Sequence, residues 1–242
     1  MTRSDAQPHG GSGSPGGSHA APSLIYAHPA LYRVVMQLLY GRGYVARYQA
    51  ISALVPDGAE VFEACAGDAR LYERYLRPRG IRYRAGEFNE RFVAHARARG
   101  IEMYRFDLRQ DEVPQADIVI LHASLYQFMP EHRQVIERLL AAARHTLIVS
   151  EPIVNLATSR WALIRWIAKR SADPGSGDAP QRFDEASLDD FFRMHFADRI
   201  ESSTRIDGGR EKIYCLAGRA QGGNVRTSGR PSDRDEGGRP SR

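Results

Sequence analysis

A chain of 242 residues, 42% of them apolar or aromatic, is long enough to bury one substantial core. Of its net charge of +5, about two units sit at residues 220–242, which hold five arginines against three acids. The remainder is near neutral with no continuous basic stripe for phosphates, which argues against a nucleic-acid substrate. The two cysteines, Cys65 and Cys215, lie far apart and form neither a zinc-ligand pattern nor a disulfide framework. No apolar stretch approaches the roughly 20 residues that span a bilayer and no signal peptide precedes the domain, so a cytoplasmic protein is expected.

Residues 1–22 are rich in Gly, Ser and Pro without apolar periodicity and are predicted to be a disordered tail. Ser23 to Leu54 should be a helical cap, broken into two helices at Gly41 and Gly43. Its five tyrosines, Tyr26, Tyr32, Tyr40, Tyr44 and Tyr48, suit either packing on the core or lining a substrate mouth.

The organising stretch is Ala59 to Leu76. A short strand through Val61 and Phe62 ends at Glu63, and the small-residue turn Ala64-Cys65-Ala66-Gly67 opens into a helix with Leu71, Tyr75 and Leu76 at helical spacing. A strand, a small-residue turn and a helix start let backbone N–H groups approach a nucleotide-type ligand. Glu63 would repel a pyrophosphate and attract a cationic amine, which speaks against a dinucleotide.

A second strand, residues 80–87, ends in Glu87 and Phe88, and Asn89 should cap a helix running to Arg99. Glu87 follows Glu63 by 24 residues, about the interval that brings an acid to the second strand end, where a carboxylate can accept two ribose hydroxyls. A third strand through Ile101, Met103 and Tyr104 leads to Asp107 and Leu108. A fourth, Ala116 to Leu121, is the unbroken apolar run of a strand buried on both faces. It ends in His122, Ser124, Tyr126 and Gln127, which should surround a reacting group at the carboxyl edge of the sheet. A helix over 131–143 and a fifth strand over 145–150, ending in Glu151-Pro152, follow.

Residues 155–171 should form an amphipathic helix carrying Trp161 and Trp166, residues 171–181 a loop, and residues 187–196 a short helix. Strands over 199–206 and 211–217, joined by Asp207-Gly208-Gly209, form an antiparallel hairpin, and residues 220–242 a second disordered tail. The expected domain therefore covers residues 23–219.

The pattern E-x-(small)-x-G-x-(small) at Glu63 to Ala69 resembles motif I of the class I S-adenosylmethionine-dependent methyltransferases. The later acids at strand ends and the closing hairpin follow in that family's order over about residues 45–217. The resemblance implies a Rossmann-like methyltransferase fold: an α/β, seven-stranded, mostly parallel sheet with an antiparallel last strand and helices on both faces. It implies S-adenosylmethionine as cofactor, held by Glu63, Cys65, Gly67, Glu87, Phe88, Asp107, Leu108 and His122. Asp107 would cap the exocyclic amine of adenine while Leu108 packs on the ring. The expected activity is methyl transfer to a small molecule, with His122 as base, because imidazole titrates near neutrality, and Tyr126 as a hydrogen-bonding orienter. The (D/N)-P-P-(Y/F) sequence that positions a base or amide nitrogen is missing. No metal is implied. Cys65 and Ala69 stand where the family commonly has glycine, which keeps open a catalytically inactive methyltransferase-like protein that serves a partner.

Overall fold

The computed structural model describes residues 42–153, 182–206 and 210–219. Both tails, residues 23–41 of the cap, the helix and loop expected over 155–181 and the hairpin turn at 207–209 lie outside the described residues.

Seven strands form one sheet: β1 (Glu60–Ala64), β2 (Arg82–Glu87), β3 (Met103–Arg105), β4 (Ala116–His122), β5 (Ala143–Pro152), β6 (Ile200–Arg205) and β7 (Glu211–Ala217). Their spatial order is β3-β2-β1-β4-β5-β7-β6. Pairing is parallel from β3 through β5, while β7 runs antiparallel to both β5 and β6. This is the expected architecture. Strand order reverses between β1 and β4, so the crevice outside the carboxyl ends of these two strands is where ligands bind in such sheets.

Alternation along the strands divides the core. Phe62, Val119, Leu121, Leu147, Val149 and Tyr214 face the layer made by α3 (His132–Ala142) and α4 (Glu185–Phe196). Val61, Ile118, Ile120, Ile148, Ile213 and Cys215 face α1 (Arg42–Ala53) and α2 (Glu90–Arg97). Helix α1 docks through Tyr48 and Ile51, with Val55 just beyond it. Each fully buried side chain of this kind contributes about 1.5–3 kcal/mol.

Several elements differ in detail from the sequence reading. Gly43 is the second residue of α1, and Gly41 lies outside the described residues, as does the first of the two expected helices. The segment after the motif turn is not a plain α-helix: it is a π-turn over Tyr72–Leu76 followed by a 3-10 turn over Arg77–Arg79, with Pro78 unable to supply the N–H that α-winding requires. Asn89 does cap α2, its side chain accepting from Arg91 N at 3.0 Å. Helix α4 starts two residues before Ser187, because Asp184 and Ser187 form a reciprocal capping box.

Candidate functional site

The turn after β1 is built from backbone conformations that glycine adopts most easily. Cys65, Gly67 and Ala69 have φ of 56°, 57° and 56°. A Cβ on Gly67 would meet nothing within 4 Å, so the turn faces open space. Glycine is common at such positions because an L side chain there costs about 1–2 kcal/mol. Cys65 and Ala69 carry that strain, while both are small enough to fit.

Glu87 ties this turn to β2. One carboxylate oxygen accepts from Gly67 N at 2.8 Å and the other from Asn89 N at 2.9 Å. Burial raises its pKa, and the backbone N–H groups of Asn89 and Gly67 oppose the shift. Two carboxylate oxygens offer about four acceptor directions, so capacity for a diol remains. Beside it Phe88 is 58% exposed, with the Arg105 guanidinium 3.8 Å from its ring centre. An exposed aromatic face next to a carboxylate at a strand end suits a nucleoside.

Glu63 has a different setting from the one its charge suggested. It is fully buried, with one oxygen accepting from Tyr83 OH at 2.6 Å and the other 2.8 Å from His122 Nε2. Burial, reinforced by the Glu63 charge, drives the Tyr83 phenol well above its ordinary pKa, so it stays a donor. Both Glu63 oxygens are thus engaged by protein groups. The His122 ring is 8% exposed, meets Tyr48 edge-on at 5.5 Å, and leaves Nδ1 buried without a hydrogen-bond partner.

The remaining expected residues are not all brought together. Tyr126 lies in a 3-10 turn (Leu125–Phe128) and packs against the α3/α4 side of the core, with Arg182 4.4 Å over its ring. His122 faces the α1 side with Glu63, so the two catalytic candidates sit on opposite faces of the sheet. Leu108 is 2% exposed and belongs to the core. Asp107 shapes the turn after β3: its Oδ1 accepts from Arg109 N at 3.0 Å, and its own N donates to Asp111. Burial and the Glu87 charge push the Cys65 thiol well up, away from nucleophile behaviour.

Two groups were not singled out from the sequence. Glu151, fully enclosed at the end of β5, accepts from Ser124 N and Leu125 N at 2.7 Å each and leaves Oε2 without a hydrogen-bond partner. Desolvation carries its pKa to about 7. Its place as an acid at a strand end was the available signal. Arg47 and Glu211 form a buried ion pair that pins α1 to β7. Among the described residues no cluster of three His, Cys, Asp or Glu could hold a metal ion, and no helix is long and apolar enough to cross a membrane.

Several solved structures share the architecture. The magnesium protoporphyrin IX methyltransferase ChlM of Synechocystis PCC 6803, crystallised with bound SAH, is 17% identical with a TM-score of 0.55, covering 79% of this chain and 96% of that one. A possible histamine N-methyltransferase of Thermotoga maritima is 16% identical with a TM-score of 0.56, over 81% of this chain and 98% of that one. A putative methyltransferase of Haloferax volcanii, in complex with its Trm112 activator, is 13% identical with a TM-score of 0.58, over 83% and 100%. These likenesses establish the class I methyltransferase fold. No curated protein matches the sequence. The family model described as methionine biosynthesis protein MetW matches residues 45–193, more than half of the chain. The chain belongs to the MetW family.

Proposed function

We propose that this protein is an S-adenosylmethionine-dependent methyltransferase acting on a small molecule that loses a proton as it is methylated. The observation that carries the reading is the crevice between β1 and β2: an open-faced turn at Gly67, tied to Glu87, beside the exposed ring of Phe88. The SAH bound to the Synechocystis enzyme and the family's link to methionine biosynthesis support it. S-adenosylmethionine would supply a methyl group on a sulfonium, the C–S electron pair returning to sulfur as an acceptor takes the carbon.

The chain's own residues position and deprotonate. Glu87 receives the ribose hydroxyls through its remaining acceptor directions, and Phe88 offers a face to the adenine. Asp107 presents Oδ2 to the exocyclic amine, its Oδ1 being held by the turn. His122, at the carboxyl end of β4, takes the acceptor's proton. Proper positioning of this kind can lower a barrier by about 7–11 kcal/mol.

Incubation of the purified chain with S-adenosylmethionine, SAH or NAD tests the reading by thermal shift. A ligand at 100 times its Kd stabilises by about 2.7 kcal/mol, and only the first two should do so. Once the acceptor is identified, for instance from what co-purifies, His122→Gln should lower turnover by about 10²-fold or more. A rate within about threefold of wild type would remove His122 from the chemistry.

The strain at Cys65 and Ala69 favours a second reading, a methyltransferase-like protein without turnover that serves a partner, as the Haloferax neighbour has a partner in Trm112. SAH binding without methyl transfer to any acceptor would select it.

A further inference from the structure

The large apolar side chains exposed among the described residues are Leu54, Phe88 and Met194, and of these Phe88 alone directly follows the carboxyl end of a strand. Its ring is not loose on the surface. Strand β3 lies parallel to β2 with Arg105 opposite Glu87, the residue before Phe88. Phe106 N donates to Glu87 O at 3.1 Å and ties the two strand ends together at that point. This register brings the Arg105 guanidinium over the Phe88 ring, 3.8 Å from its centre. At that distance the cation rests on the negative face of the ring. Arg105 also meets Glu90, Nε to Oε1 at 3.8 Å, but the Glu90 side chain is 84% exposed. An ion pair so open to water holds little, so the ring is what fixes the guanidinium. With one face covered, the accessible surface of Phe88 is its opposite face and its edge.

We propose that Arg105 is a positioning residue for adenine: it backs Phe88 on one face so that the purine stacks on the other. The inference rests on the reading of this crevice as the S-adenosylmethionine site. Two effects act together. The guanidinium fills the space into which the phenyl ring would otherwise turn, so the stacking surface is in place before the ligand arrives. Less side-chain freedom is then lost on binding. The cation also draws the ring's π density toward itself, which leaves the opposite face less negative toward an electron-rich purine.

A double-mutant cycle read by calorimetry with SAH tests this on the full-length wild type, Arg105→Met, Phe88→Leu and the double variant. Arg105→Met keeps an unbranched stem and removes the cation. Both side chains are exposed, so the four proteins should unfold at nearly the same denaturant midpoint. Arg105→Met should weaken SAH binding by about two- to fivefold, the range an exposed cation–π contact supplies. In the Phe88→Leu background the same change should have no effect, because Arg105 acts through the ring. Arg105→Lys, which keeps a cation, should recover part of the loss. A guanidinium that only steadied the strand ends or the local charge would shift affinity by one factor in both backgrounds, and that result would overturn the proposal. Wild-type affinity in Arg105→Met would overturn it as well.

A second readout needs no ligand. Proton NMR of the arginine-labelled full-length chain should show Arg105 side-chain signals moved upfield by the Phe88 ring and returned to ordinary values in Phe88→Leu. Ordinary values in the wild type would overturn the proposal. Shifted Arg105 signals in a wild type that binds no SAH would overturn the methyl-donor reading and the adenine role with it. SAH binding indifferent to Arg105 would overturn the positioning role alone.

Discussion

Ala69 shows how a single backbone angle can outweigh burial. It is fully buried with φ of 56°, whereas Ala85 is equally buried in ordinary strand backbone. Replacing Ala85 by glycine should cost about 1 kcal/mol, through added chain entropy and a lost methyl. Ala69→Gly loses the same methyl but relieves about 1–2 kcal/mol of left-handed strain, so it should be neutral or mildly stabilising. Urea unfolding of the two variants checks this, and equal losses would contradict it. Glu151 makes a prediction of opposite sign to the usual carboxylate. Its folded pKa, about 7, lies above the ordinary 4.5, so the folded protein holds that proton more tightly across the window between them. Stability from this group is therefore greatest below about pH 4.5 and falls as pH rises toward 7, by at most about 3 kcal/mol. Glu151→Gln should flatten that part of the stability profile, and a profile identical to wild type would contradict the assignment.

Elements are held by choices of the same kind. Helix α1 covers the Glu63–His122 pair and is pinned by Arg47, 1% exposed, to Glu211, 3% exposed. Arg47→Ala leaves a buried carboxylate without its ion-pair partner and should destabilise by about 3–5 kcal/mol, while Arg47→Met with Glu211→Leu should recover most of the loss. A small loss in the single variant would show that water reaches Glu211. On β2, a Cβ at Gly86 would come within 2.6 Å of the Phe106 ring. Gly86→Ala should therefore cost about 1–3 kcal/mol by overpacking, read as a lowered denaturation midpoint. Neither feature was legible in the sequence. Strand periodicity identifies β2 and β7, but which side chains meet across 164 residues depends on the assembled sheet. The same limit applies to Glu63: its position at a strand end and its charge were readable, whereas Tyr83 and His122 as its partners were not.

At the scale of the whole molecule the order of elements was readable, because each strand ends in a polar residue or a small-residue turn and the final hairpin breaks the parallel pattern. The apolar run of β4 and the acid Glu63 mark the two strands that flank the reversal of strand order, and Glu87 ends the neighbouring strand β2. Sequence alone could not say on which face each loop residue falls. His122 and Tyr126 are four residues apart, yet the positive φ of Ala123, 50°, helps turn the chain between them so that they serve opposite faces. The central claim is that this crevice holds the methyl donor through Glu87. Calorimetry of the full chain with SAH tests it directly, comparing wild type with Glu87→Ala and with Glu90→Ala at the exposed start of α2. One saturable site is expected in the wild type, weakened by about 1.5–3 kcal/mol in Glu87→Ala and unchanged in Glu90→Ala. No binding by the wild type, or equal affinity in Glu87→Ala, would contradict it.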